Sequence, residues 1–425
     1  MPTPELAHLG DGVVGALHRP ATATPKAGIA VYVMHAEQDY LDFPVCHGLA
    51  ARGYTVLCAN NAASKMGLGN DLDFERMMQD VAKGVQYLRS RPEIRKIVLL
   101  GHSGGGAMMT AYQNIAENGL RACQGAEKIV PCSDAMAQLP RADGLLLLDA
   151  NYGISGMTLL SLDPAVQDEG NAMALNPHLN LFAPEHGFTP AGARYTPEII
   201  SRFQAGVAAR MSRLVQHALD RQQQIKAGKG RFADDEPFVV PGASYIGFNN
   251  KLFAQDTSLL AHTAQAWPLL HKDGSMTRQV VYSLRSAANL KPNTQNYGTG
   301  ALKTTVNRFL STFAIRVNPD FAYGAEGFSG VDWSSSHTAP IGAIQGVTAP
   351  LLTMGMTGHW EYLAAEKIYL HAASKDKSIA FVEGASHMLT TCKDCEKTPG
   401  QYGDTLKVTL DHADQWLSGA GRFLE

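Results

Sequence analysis

The sequence predicts an α/β fold: a mostly parallel sheet with helices on both faces, interrupted by a large inserted, mainly helical lid. Three observations carry this. Over residues 1–150, short apolar runs alternate with segments of helical spacing, the pattern of a covered parallel sheet. One such run, Lys96-Ile97-Val98-Leu99-Leu100, flows into Gly101-His102-Ser103-Gly104-Gly105-Gly106 and then into a helix-forming segment. Sheet-like sequence then resumes at about residue 346, after a stretch without clean alternation. The expected organisation is therefore a core built from 1–150 and 346–425, with 151–345 inserted as the lid.

Element by element, residues 1–30 read as two short strands with a turn, followed by a Pro/Ala/Thr linker. Ile29 to Met34 is a β-rich run ending at His35, Leu41 to Arg52 reads as a helix closed by Gly53, and Tyr54 to Ala59 reads as a strand. Leu72, Phe74, Met78, Val81, Val85 and Leu88 fall at helical spacing. Gly144 to Leu148 is a further strand. Within the insertion one long helix stands out, from Thr196 to about Gln224. Its stripe is Phe203, Val207, Met211, Leu214 and Ala218, with Arg210, Arg213, Asp220 and Arg221 placed largely elsewhere and Gly228 as its stop. Arg278 to Leu284 and Phe309 to Val317 read as strands or short helices. Leu351 to Gly355 and Ser378 to Val382 complete the sheet, with helices at about Ala364 to Ser374 and Asp404 to Leu417.

Composition narrows the function classes. A 45% hydrophobic, 18% charged chain has ample core, and a formal net charge of -3 offers no attraction for nucleic acid or an anionic surface. Apolar runs such as Leu145–Leu148 are far too short to cross a bilayer. The start, Met1-Pro2-Thr3-Pro4-Glu5-Leu6, lacks the basic and apolar regions of a secretion signal, so a cytoplasmic location is expected. Cys46 and Cys58 read as buried small residues. Cys123 and Cys132 flank a loop and could meet, but would stay thiols in a reducing compartment. Cys392 and Cys395 follow His387 closely; a closed zinc site needs four ligands, and no second pair is evident. A loop with two thiols or a local disulfide is expected there, with no metal and no cofactor.

The elbow carries the chemistry. A strand that turns sharply into a helix crowds its backbone, admits only small neighbours and strains the residue at its apex, Ser103, with the hydroxyl pointing out of the sheet. It also sets the backbone N–H of Gly104, at a helix N-terminus, where an oxyanion could form. A serine hydroxyl needs a base, and a near-neutral imidazole suits. His387, in a Gly-Ala-Ser-His turn after a strand near the C-terminus, is the best placed. His359 is the alternative, and His102 reads as a packing residue beside the nucleophile.

This combination resembles the α/β-hydrolase family over residues 1–150 and 346–425: the Gly101–Gly105 elbow, the strand ending in His35, and Glu383-Gly384-Ala385-Ser386-His387. The resemblance implies that the loop after the His35 strand donates a second oxyanion N–H, by position from Glu37 or Ala36, with Gly104 as partner. The family often has His-Gly there; this chain has His35-Ala36. Relatives often place the acid in the loop after the seventh strand, which here reads Gly355-Met356-Thr357-Gly358-His359-Trp360-Glu361, without Asp. Asp149, ending the Leu145–Leu148 strand, is the first candidate, because a charge after four apolar residues is costly unless paired. Glu361 and Glu366 are the alternatives.

The expected function is that of a serine hydrolase cleaving a small to medium, largely apolar carboxylic ester through an acyl-enzyme. Amide, lactone or carbon–carbon cleavage, or a non-catalytic binding relative, stay open. The insertion's aromatics (Tyr152, Phe182, Phe188, Phe232, Tyr245, Phe248, Phe253, Trp267) and methionines suggest a mainly apolar pocket. The expected partner is a small-molecule substrate, with neither nucleic acid nor membrane, and the oligomeric state is left open, a homodimer included.

Overall fold

Parallel strands covered on both faces have no solvent side, so they read as unbroken apolar runs. The computed structural model, which describes residues 2–63, 72–244, 251–288 and 300–424, gathers those runs into one ten-stranded sheet. In chain order its strands are β1 (Glu5–Gly10), β2 (Val13–His18), β3 (Ile29–His35), β4 (Thr55–Asn60), β5 (Lys96–His102), β6 (Gly144–Leu148), β7 (His262–Leu270), β8 (Met276–Tyr282), β9 (Leu351–Met356) and β10 (Lys377–Val382). In space they run β1-β2-β4-β3-β5-β6-β9-β10-β7-β8. Strands β4 to β7 of that row are mutually parallel, and the antiparallel pairs lie at its two ends.

Period-two alternation divides the core between the faces. Ile29, Val31 and Val33 pack with α1 (Pro44–Ala51) and α7 (Thr405–Leu417), through Val45, Leu49, Leu410, Trp416 and Leu417. Ala30, Tyr32 and Met34 point the other way, toward α2 (Phe74–Arg89), α3 (Gly104–Asn118) and α6 (Leu363–His371). Asp73 and Asp404 cap α2 and α7 by accepting the N–H groups of Arg76 and Lys407.

The inserted segment contributes α4 (Gly153–Ser161) and the 30-residue α5 (Pro197–Lys226). The expected stripe of α5 is buried from Phe203 to Ala218, and Gly228 follows the helix with φ +70°. Arg210 departs from the expectation that it lies away from that stripe, for it is fully buried. Its guanidinium is satisfied by Glu169, at 2.8 and 2.5 Å, and by the carbonyls of Asp163 and Pro241, both at 2.7 Å. Alongside these helices, the described residues form two-stranded ribbons such as Pro237–Pro241 with Ala301–Thr305 and Arg316–Tyr323 with Phe328–Asp332, so the segment is mixed rather than mainly helical.

The expected boundary at 151–345 is also crossed. Hairpin β7–β8 leaves the insertion and extends the core sheet, pairing Leu269 with Phe381 and Leu270 with Val382. Trp267 and Leu269 are buried on the sheet face covered by α6, where the Trp267 ring meets Tyr369. All six cysteines are paired, as Cys46–Cys58, Cys123–Cys132 and Cys392–Cys395. The first two pairs overturn the reading of those residues as thiols, and the first ties α1 to β4. The third leaves no thiolate at that loop for zinc.

Candidate active site

Strand β5 ends against its own helix. A Cβ on Gly101 would lie 2.4 Å from the Cα of Gly106, and one on Gly105 would lie 2.5 Å from the carbonyl of Met34, so both positions exclude a side chain. Between them Ser103 is held at φ +53°, ψ −127°. Only five described residues other than glycine have positive φ, and two of them are Ser103 and Asp149, at +53° and +44°. Leu389, two residues beyond His387, is a third at +69°. Backbone strain thus gathers where the candidate side chains meet.

Those side chains are in hydrogen-bonding contact. Ser103 Oγ lies 2.8 Å from His387 Nε2, and His387 Nδ1 lies 2.7 Å from Asp149 Oδ2. With Nδ1–H donated to the carboxylate, Nε2 is left to accept the serine proton. Asp149 has no exposed side-chain surface; its second oxygen accepts the Met356 N–H at 2.8 Å, and its own N–H bonds the Met354 carbonyl at 2.7 Å. The carboxylate is thereby locked to the end of β9. Burial pushes its proton affinity up, against the pull of His387 and the Met356 N–H.

Burial lowers the proton affinity of His387, but the Glu361 and Asp149 carboxylates outweigh it and hold the imidazole above its ordinary range. Its ring stays 23% exposed, open to the cavity in front of Ser103. His102, beside the nucleophile, braces the other side. Its Nε2 donates to the His387 carbonyl at 2.6 Å, and its Nδ1 is bonded to the Tyr40 hydroxyl. Burial drives its pKa well down, so it stays neutral.

The three candidate acids occupy different places. Asp149 holds Nδ1. Glu361 lies on the opposite side of the ring, its Oε2 3.5 Å from Nε2. Glu366 is not at the site: its carboxylate accepts the N–H groups of Ala264 and Gln265 and the indole N–H of Trp267, at 3.0, 3.1 and 2.7 Å. The two backbone donors, Ala264 and Gln265, lie where β7 slips register between His262 and Ala266, which explains why a buried carboxylate is needed there.

Gly104 opens α3, so its N–H belongs to the first helical turn, whose N–H groups lack an acceptor within the helix. The turn after β3 is organised by His35, whose Nδ1 accepts the N–H groups of Glu37 and Gln38 at 3.0 and 2.9 Å. The Glu37 N–H is thus directed at an internal acceptor, against the expectation that it faces an oxyanion. Ala36 packs on the elbow, its Cβ 3.7 Å from a Cβ built on Gly104.

In front of Ser103 lies a cavity of about 260 Å³, walled by the β3 turn, His102, His359, Glu361, His387 and Met388, with Ile154 and Met157 from α4. None of the insertion aromatics that suggested an apolar pocket lines it among those described; Tyr245 and Phe248 lie outside the described residues. Ligand atoms of Asp149, His359 and His387 lie within 4.8 Å of one another, spacing that a metal could bridge. Asp149 Oδ2 and His387 Nδ1 are already hydrogen-bonded to each other, so a metal taking those two atoms would have to break that contact.

No protein-family model matches the chain, and no curated protein sequence does. Solved structures similar to it include the siderophore hydrolase EstB from Aspergillus fumigatus, at 12% identity and a TM-score of 0.43, covering 98% of this chain and 97% of that one. A soluble variant of the monoglyceride lipase from Saccharomyces cerevisiae gives 12% identity and a TM-score of 0.42 over 98% and 96%. Proline iminopeptidase from Mycobacterium smegmatis gives 12% and 0.40 over 98% and 97%. At such values the likeness decides neither substrate nor mechanism, and the fold rests on the molecule's own features. With its β1-β2-β4-β3-β5-β6 sheet order, strained serine elbow after β5 and histidine loop after β10, the last strand in the sequence, the chain has the α/β-hydrolase fold.

Proposed function

We propose that this protein is a serine hydrolase that cleaves small carboxylic esters through an acyl-enzyme. The observation that carries the reading is the continuous contact from Ser103 Oγ through His387 to Asp149, at 2.8 and 2.7 Å. His387 Nε2 takes the Ser103 proton as Oγ attacks the acyl carbon, and Asp149 stabilises the imidazolium that forms. The oxyanion is held by the Gly104 N–H and a second N–H from the β3 turn, for which Ala36 is better placed than Glu37. Collapse of the tetrahedral intermediate breaks the bond to the leaving oxygen, which takes the proton from Nε2. Water then repeats the sequence at the acyl-enzyme, returning the proton to Ser103.

A cavity of about 260 Å³ lies below the range of roughly 300–1,000 Å³ usual for ligand pockets, which favours a short acyl group. Ile154 and Met157 give it an apolar wall, with the inserted segment acting as its lid. Hydrolysis of a p-nitrophenyl ester series by wild type and Ser103→Ala tests the reading. Turnover of short esters that Ser103→Ala lowers by about 10⁴-fold or more supports it; equal turnover by both proteins refutes it.

A further inference from the structure

Glu361 sits where nothing in the hydrolytic scheme so far uses it. Its side chain is 5% exposed, and its Oε2 has no hydrogen-bond partner although it is buried. A buried carboxylate oxygen without a donor forfeits a hydrogen bond unless something bound supplies one. Burial accordingly pushes its pKa up to about 7, against the pull of His387. The backbone that carries the carboxyl is held on both sides: the Glu361 N–H reaches His359 Nδ1 at 3.4 Å, and its main-chain carbonyl accepts the Ala364 N–H at 2.8 Å.

Its place on the ring defines what it can bind. Asp149 occupies Nδ1, so Glu361 cannot fix the tautomer; it lies 3.5 Å from Nε2, the nitrogen that exchanges protons with the reacting groups. A molecule donating one hydrogen to Nε2 can donate a second to Glu361 Oε2 from the same position. Both residues wall the cavity in front of Ser103. Of the groups that meet Nε2 during ester hydrolysis, only water carries two hydrogens on the reacting oxygen.

We propose that Glu361 is a catalytic residue of deacylation, holding the second hydrogen of the attacking water while His387 removes the first. This rests on the acyl-enzyme reading of Ser103. In the step, the water oxygen forms a bond to the acyl carbon and one of its protons passes to Nε2. The tetrahedral intermediate then expels Ser103 Oγ, which recovers that proton, and the acid product leaves. Glu361 ends as it began, an acceptor that has neither gained nor lost a proton.

The test uses a nucleophile with one hydrogen. Methanol gives its only hydroxyl proton to Nε2 and has none left for Glu361, so it deacylates without help from that carboxylate. With p-nitrophenyl acetate as acyl donor and methanol in the buffer, the ratio of methyl acetate to acetate measures the partition of the acyl-enzyme. Glu361→Gln leaves only a weaker, neutral amide oxygen as acceptor and is expected to raise that ratio by on the order of tenfold, the worth of the charge in that hydrogen bond. In stopped flow it should lower kcat and KM together and leave a burst of nitrophenolate. Should Glu361→Gln unfold below the assay temperature, Glu361→Asp withdraws the oxygen by one methylene and is expected to move the ratio in the same direction. An acyl-enzyme with an unchanged ratio overturns this assignment alone. Absence of any acyl-enzyme in the wild type overturns the serine-hydrolase reading and this assignment with it.

Discussion

Asp149 reaches the Nδ1 of His387 at 2.7 Å across 238 residues of sequence, from the end of β6 to the loop after β10. Two parallel neighbours, β6 and β9, set that contact, because the Met354 carbonyl and Met356 N–H clamp both the backbone and the side chain of Asp149. The carboxylate is therefore positioned before any substrate arrives.

Replacing Asp149 with Asn keeps the shape but removes the charge that stabilises the imidazolium and selects its tautomer. The expected result is a fall in kcat of about 10³- to 10⁴-fold with little change in KM. Steady-state kinetics on a short p-nitrophenyl ester checks this. A loss under tenfold would mean that another group does the work of Asp149.

Glu366 makes the opposite prediction. Its three N–H donors belong to the β7 edge, distant from Ser103, so Glu366→Gln should leave the kcat of folded protein within about twofold while destabilising it by about 3 kcal/mol. Urea unfolding alongside activity measurement separates the two effects. Full stability in that variant would contradict the role of Glu366 at the β7 register slip.

The pH dependence follows from the two carboxylates that flank His387. The base must be neutral to act, and these charges raise its pKa above the ordinary value of 6.5. Activity, as kcat/KM, should therefore rise with pH through a limb lying above 6.5. Glu361→Gln removes one of the anions favouring the imidazolium, so the limb should move to lower pH by about one unit. A pH–kcat/KM series for both proteins decides; a limb moving to higher pH contradicts the sign.

The structure joins all six cysteines in three disulfides. Thiol titration of denatured, unreduced protein should find none of the six cysteines reactive, and all of them after reduction. Six reactive thiols before reduction would contradict the pairing.

Much of the site was legible because the elbow is a local event. Gly101, Gly105 and Gly106 mark the crowded strand-to-helix bend at neighbouring positions in the sequence, even though the atoms that crowd Gly105 and Gly106 belong to Met34 and Ala150, and the Gly-Ala-Ser-His387 turn follows a recognisable strand. The acid was harder, since a carboxylate after an apolar strand reads equally as a turn residue, and only the pairing of β6 with β9 places Asp149 at the imidazole. Glu361 and Glu366 are five residues apart, yet one faces the cavity and the other the sheet edge. The β7–β8 hairpin was hidden for a similar reason. Its partner, β10, lies more than a hundred residues further along, and local alternation cannot reveal which edge will cover a strand. The Cys46–Cys58 pairing was missed because apolar neighbours suit a buried disulfide as well as a buried thiol.

The most direct measurement is the intact mass of the protein after treatment with a fluorophosphonate, followed by peptide mapping. An activated serine should give one adduct per chain, on Ser103, absent from Ser103→Ala and slowed by orders of magnitude in His387→Ala. An unmodified chain, or a label carried by any other residue, would contradict nucleophilic activation of Ser103 by His387.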